Sequence, residues 1–298
     1  MNVQVLSAEK QTLTSAPSAA QTGETAAAVV AAQAAALIQA RYVIAMKRPR
    51  DLDIVREKLL KECTRPSFAR VARYRKPIGD GIVGPSIRFA EAAIRLMGNI
   101  VVDTVTLFDD QEKRIVQLSV SDLESNVSYP SSITVSKTVE RKNPKEGDTI
   151  IGKRQNSKNE TVYLVEATED NLLNKQAALI SKAIRSNGLR LVPGDIIDEC
   201  MWQVVETQKK EDAKDPDGEK LRIFDLFGAL GVTVAQLKKH LGHDGATLNP
   251  KELIDLRALY SAIKDGETSW REVMEAREPA QKKRLSEMVD PSEKGAAQ

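Results

Sequence analysis

The sequence is short of the residues from which most catalytic and metal centres are built. Its two cysteines, Cys63 and Cys200, lie far apart and in no C-x-x-C pair, which excludes a disulfide framework and a cysteine zinc site and fits a reducing compartment. Its two histidines, His240 and His243, stand at i, i+3 without a cysteine or acidic partner to complete a metal site. Aromatic residues make up only 4% of the 298, so aromatic packing is modest. A long unbroken apolar run is also missing. "TAAAVVAAQAAALIQARYVIAM" is dominated by alanine and interrupted by Gln33, Gln39 and Arg41, which argues against a membrane-spanning helix. Lys10 is the only basic residue before it, balanced by Glu9 and Glu24, so it does not read as a signal peptide. The expectation is a non-enzymatic protein of the cytoplasm, without cofactor, metal or membrane partner.

Two phosphate-binding patterns are nearly present. In "EGDTIIGKRQ", Gly147, Gly152 and Lys153 follow G-x-x-x-x-G-K, but Arg154 stands where a P-loop needs the Ser or Thr that holds magnesium. The residues that follow are turn formers and then a strand, where a P-loop has a helix. The stretch is expected to be a β-hairpin, Thr149 to Gly152 against Thr161 to Val165, with Lys153, Arg154 and Lys158 at its tip. In "PIGDGIVGPSIRF", Gly79, Gly81 and Gly84 spell G-x-G-x-x-G with Asp103 downstream. The preceding "FARVARYRKPI" is basic, however, where a dinucleotide fold needs a buried strand. A helix opening at Pro85 leaves two readings: amides freed to meet an anion at a positive helix end, or a plain loop.

What the sequence does have is positive charge in its middle. Net charge is +2, but residues 41–205 carry 27 basic against 22 acidic residues, and 41–76 carry twelve against four. There Arg65, Arg70, Arg73, Arg75 and Lys76 surround Phe68 and Tyr74. Such a mixture can neutralise backbone phosphates and stack on bases, or simply coat a solvated helix face.

Residues 1–22 and 279–298 read as disordered tails. Between them the hydrophobic period predicts an α+β fold: an antiparallel β-meander packed with helices over 23–206, a charged linker over 207–220, and a small all-α module over 221–278. Helices are predicted before Pro49, over 51–62, and from Pro85 to a stop at Gly98, with Arg88 and Arg95 sharing one side of the last. Period-two alternation in "NIVVDTVTLF", "KRIVQLSV" and "NVSYPSSITVSKTVER" gives three strands that bury Val116, Leu118 and Val120, and the 149–165 hairpin is expected to extend their sheet. A helix from Thr168 to Asn187, stopped by Gly188, puts Leu172, Leu173, Ala177, Ile180 and Ile184 on an apolar stripe. Lys175, Lys182 and Arg185 fall on the opposite, solvent side. The module carries its own capping signals at Thr233, Asn249 and Ser269, and is expected to fold alone.

The segment "LLNKQAALISKAIRSNGLRLVP" resembles the late basic helix of the annealing core in phage recombination proteins of the RecT and Redβ type. "FGALGVTVAQLKKHLGH" and "LNPKELIDLRALYSAIKDGETSW" resemble their helical C-terminal modules, and "GPSIRFAEAAIRLMGN" is similar to phage proteins encoded near recombination genes. The resemblance implies ATP-independent annealing of single-stranded DNA along a basic groove and self-assembly into rings or filaments. It also implies a module that meets the host single-strand-binding protein or a phage exonuclease, with Leu230, Leu241 or Trp270 as contacts. It carries over Lys175, Lys182 and Arg185, with Lys137 and Arg141 at the end of the third strand. Adding the candidates from charge and position, the nucleic-acid set is Arg70, Arg73, Tyr74, Arg75, Lys76, Arg88, Arg95, Lys137, Arg141, Lys153, Arg154, Lys175, Lys182 and Arg185. Two alternatives stay open: a phage structural or adaptor protein with a basic assembly surface, and a metal-dependent nuclease on Asp103, Asp109, Asp110 and Asp122.

Overall fold

A computed structural model of the chain describes residues 25–76, 82–155 and 161–276. The tails expected at 1–22 and 279–298, the loop glycines Gly79 and Gly81, and Lys158 lie outside the described residues. The chain is α+β, with antiparallel sheets and helices at both ends. It divides after Arg48 into a small N-terminal unit and a large second one.

The described part of the small unit is α1 (Ala26–Lys47), which opens where the Thr25 hydroxyl accepts from the Ala28 amide and closes at Arg48, before Pro49. With 22 residues and a mean hydropathy of 1.5, it is long and apolar enough to cross a membrane, by length and composition only. Its large apolar side chains, Val30, Leu37, Ile44 and Met46 among them, are exposed.

The large unit begins with α2 (Leu52–Cys63), capped by the Asp51 carboxylate, and the single turn α3 (Pro66–Ala69). The hairpin β1 (Arg73–Lys76) and β2 (Ile82–Pro85) follows. The next helix, α4 (Ile87–Met97), is capped by Ser86, not opened by Pro85. Ser86 is fully buried and fully used: its hydroxyl accepts from the Phe89 amide and donates to the Val71 carbonyl. Pro85 therefore ends a strand, and Gly98, at φ 63, stops α4 as expected.

The meander consists of β3 (Ile100–Asp109), β4 (Lys113–Asp122) and β5 (Val127–Ser136), in that order. Val116, Leu118 and Val120 are buried, as the alternation predicts. The expected long third strand breaks at Lys137. Its amide donates to the Glu112 carbonyl in the β3–β4 turn while its carbonyl accepts from Ala167 beside the second sheet, so this one residue hands the chain from sheet to sheet. The second sheet is β6 (Thr138–Arg141), β7 (Ile150–Gln155) and β8 (Thr161–Glu166) in the order β6-β8-β7, with β7 and β8 forming the expected hairpin. It does not extend the meander.

Next comes α5 (Glu169–Gly188), whose Leu172, Leu179, Ile180 and Ile184 pack on the meander. Leu173 is instead half exposed, which rotates the stripe relative to its sequence reading. Gly188 is not a stop signal either, because a 3-10 turn over Leu189–Leu191 continues the helix. Its missing side chain answers to packing: a Cβ there would fall 2.3 Å from Ile94 Cδ1 of α4.

The charged stretch 207–220 is not a linker. α6 (Gly194–Asp212) runs through it with Thr207, Gln208 and Asp212 buried, and α7 (Pro216–Ala229) begins four residues later. α8 (Val234–Leu241) and α9 (Pro250–Lys264) carry the predicted capping boxes at Thr233 and Asn249. The helices α2, α3, α4 and α6 enclose one core around Leu59, Phe89 and Val204, and α7 to α9 enclose another around Phe227, Leu237 and Leu253. Each such side chain contributes about 1.5–3 kcal/mol when buried.

Candidate nucleic-acid interface

The fourteen residues drawn from the sequence do not form one groove. Eight of the cations are engaged with carboxylates: Arg70 with Glu219, Arg75 with Asp255, Lys76 and Arg185 with Glu267, Arg88 with Glu91, Lys137 with Asp109, Arg141 with Asp148, and Arg154 with Glu140. Two of these pairs, Arg88 with Glu91 and Arg154 with Glu140, sit at the surface, where a carboxylate beside each guanidinium weakens its pull on a phosphate.

Arg185 departs furthest from its expected place. It is buried, and its two terminal nitrogens donate to the two oxygens of the buried Glu267 carboxylate at 2.5 and 3.1 Å. The Tyr74 ring lies beneath the guanidinium, 4.1 Å from its central carbon. Gly84, across the β1–β2 ladder from Tyr74, leaves room for that ring: a Cβ at Gly84 would come 3.2 Å from Tyr74 Cε1. The third glycine of the dinucleotide-like pattern thus serves a stacked arginine. The face of α5 expected to meet solvent is covered by β1 and by the turn after α9, where Gly266 approaches Ala178 of α5.

Lys175 is also withdrawn from solvent. Its ammonium donates to the Ser136 and Thr138 carbonyls at 3.1 and 3.3 Å, satisfying acceptors freed where the chain leaves the first sheet at Lys137. A second buried network joins Arg257 of α9 to Asp212 of α6 and Glu219 of α7, and Glu219 also receives Arg70 and Arg222. With the Glu267 cluster, it fastens the C-terminal helices to the rest of the large unit.

Among the described residues, Arg73, Arg95, Lys153 and Lys182 of the sequence set have no carboxylate in ion-pair contact. Arg73 is partly buried, and burial is the main influence lowering its guanidinium pKa, assisted by Arg75 and opposed by Asp255. Arg95 and Lys153 are exposed. Sequence reasoning passed over Arg190, which is exposed just beyond α5 and stacks over the Tyr129 ring of β5 at 5.3 Å. Ile94, which precedes Arg95 on α4, approaches Gly188, two residues before Arg190, and Arg190 stacks on Tyr129 of β5. No spacing rule joins residues 129 and 190; only the folded packing does.

The four aspartates weighed as a nuclease cluster are dispersed. Asp122 receives Arg50 and the Ser125 hydroxyl at one end of the meander. Asp109 pairs with Arg114 and Lys137 at the other, and Asp110 binds the turn amides of Glu112 and Lys113. Among the described residues no three His, Cys, Asp or Glu side chains are grouped to hold a metal ion. The P-loop-like stretch is equally placed by its fold: Gly152, Lys153 and Arg154 lie within β7, and the next described element is the strand β8.

In comparisons with protein families, with curated proteins and with solved structures, nothing matches this chain.

Proposed function

We propose that the chain binds single-stranded DNA and anneals complementary strands without a nucleotide cofactor, acting as a non-enzymatic recombination protein of a phage in the host cytoplasm. The observation that carries the reading is exposed Arg190 stacked on the Tyr129 ring, with exposed Arg95 on α4, the helix whose Ile94 meets Gly188. Arginine attracts the phosphate backbone, and an aromatic ring offers a sequence-tolerant platform for a base. Lys153 on β7 and Lys182 on α5 add positive charge that is not in ion-pair contact with a carboxylate among the described residues. The resemblance of the α5 segment to annealing cores supports the same direction, as does the meander backed by a helix. A host single-strand-binding protein or a phage exonuclease remains the proposed partner of the C-terminal helices. Leu230 is the exposed candidate there, since Leu241 and Trp270 pack into the core around Phe227.

Fluorescence anisotropy with a labelled single strand tests this reading. Joint replacement of Arg95 and Arg190 by Ala is expected to weaken binding about tenfold on every sequence and to reduce the salt slope by roughly one to two. Unchanged affinity and slope would remove both arginines from the site. Annealing followed by fluorescence quenching is expected to proceed without ATP, and a strict requirement for ATP and magnesium would overturn the mechanism.

The extensive internal pairing of the basic residues favours a second reading, an assembly or adaptor protein whose charges serve mainly its own fold. Absence of salt-sensitive strand binding by the intact protein would favour it.

A further inference from the structure

The chain's two cysteines, far apart in sequence, meet in the fold. Cys63 closes α2 and Cys200 lies in the first half of α6, and both are fully buried in the core around Leu59, Phe89 and Val204. Two further contacts join the same helices. Arg56 of α2 pairs with Glu199, the chain neighbour of Cys200, and the Thr207 hydroxyl of α6 donates to the Cys63 carbonyl at 2.9 Å. Both cysteines are free thiols, and they are in hydrogen-bond contact with each other, Cys63 donating to Cys200.

A single buried cysteine packs as a small hydrophobe, whereas two in contact are a dithiol. The bond between them makes them unequal. It is the main influence holding the Cys200 thiol below its ordinary range, assisted by Arg56 and opposed by burial and Glu199, and the same bond together with burial pushes Cys63 up. Because the thiolate is the reactive form, Cys200 is the better nucleophile of the two, and Cys63 lies where a resolving thiol is needed. The apolar core around both shields them from bulky reagents, so the oxidant that suits the pair is a small one.

We propose that Cys63 and Cys200 are an oxidation site, forming a reversible disulfide that staples α2 to α6 when the protein meets hydrogen peroxide. The Cys200 thiolate attacks one peroxide oxygen and the O–O bond breaks, leaving a sulfenic acid and releasing hydroxide, which takes up the proton that Cys200 gave. The Cys63 sulfur then attacks the sulfenic sulfur; the S–O bond breaks, and the departing hydroxide takes the Cys63 proton and leaves as water. The two thiols lose two electrons in all, and one peroxide becomes two waters. A small dithiol reverses the bond by exchange and is itself oxidised to a disulfide. Transient disulfides of this kind are the ones that occur in a reducing compartment. This inference does not depend on the nucleic-acid reading.

Mass spectrometry of the full chain tests it, after titration with hydrogen peroxide and alkylation of the remaining thiols in denaturant. The unaltered protein is expected to lose about two daltons, to take up no alkyl group and to yield a peptide pair joined between Cys63 and Cys200 of one chain. Because the bond closes a long loop, the oxidised protein is also expected to melt about 5–10 °C higher. Dithiothreitol should undo all of these changes. With Cys63→Ser, the sulfenic acid on Cys200 has nothing to resolve it and should be trapped by dimedone, whereas Cys200→Ser should resist the same peroxide dose. Should either variant fail to fold, the joined peptide pair from the unaltered protein decides the question alone. Two alkyl groups still taken up after peroxide, sulfinic acid in place of the joined pair, or pairs joined only between different chains would each overturn the proposal.

Discussion

Arg185 and Lys182 occupy nearby positions on one helix and have opposite fates. Replacing Arg185 by Ala leaves the Glu267 carboxylate in the interior with only Lys76 for company, and is expected to destabilise the protein by about 3–5 kcal/mol. Replacing Lys182, which is partly exposed, is expected to change stability by less than about 0.5 kcal/mol. Chemical denaturation of the two single variants separates these outcomes. A second residue reports through pH. Burial is the main cause that raises the Asp265 pKa above the ordinary carboxylate range, with Glu267 and Glu91 adding to it against Arg88 and Lys264. A carboxyl whose pKa is raised in the folded state stabilises the fold while it is protonated, and that contribution is lost as pH rises through the folded value. Asp265→Asn is therefore expected to raise the melting temperature at neutral pH. The advantage should fade as pH falls to the ordinary carboxylate range, and melting curves across that window check it.

At the scale of elements, most starts and stops were legible because they are written in local chemistry. Asp51, Thr168, Thr233 and Asn249 cap the helices that their positions predicted, and Gly98 closes α4 with a positive φ. The meander followed from its period, since Val116, Leu118 and Val120 alternate. What could not be read is what covers each face. The basic side of α5 has the composition of a solvated surface, but β1 and the turn after α9 close over it, and its charge is answered by Glu267 from far along the chain. The same blindness produced the supposed linker: "TQKKEDAKDPDGEK" looks soluble, yet Asp212 and Glu219 within it are buried against Arg257. Charged residues carry no mark of whether their partner is water or a distant guanidinium. For the candidate site the result is similar. Arg73, Arg95, Lys153 and Lys182 were identified by sign of charge, whereas Arg190 with Tyr129 depended on tertiary proximity.

At the scale of the whole molecule, the large unit behaves as one body whose two cores are joined through ion pairs. A chain ending near Gln208 would lack Asp212, Glu219, Arg257 and Glu267, and would leave Arg185, Lys76 and Arg70 without their carboxylates. The expectation from sequence was that such a chain keeps a folded core. The packing leads to the reverse: it is expected to be insoluble or to lack a cooperative melt, as circular dichroism and a thermal scan can show. The arrangement also sets an order of events during synthesis. Arg70 meets Glu219 across 149 residues, and Arg185 meets Glu267 across 82. Until the ribosome has released the turn after α9, the hairpin that carries Tyr74 and the arginine face of α5 have nothing to close against. A nascent chain therefore spends most of its translation with a basic, unfinished surface open to whatever polyanion is nearby, and premature termination anywhere before Glu267 should yield a null product in place of a partly active one.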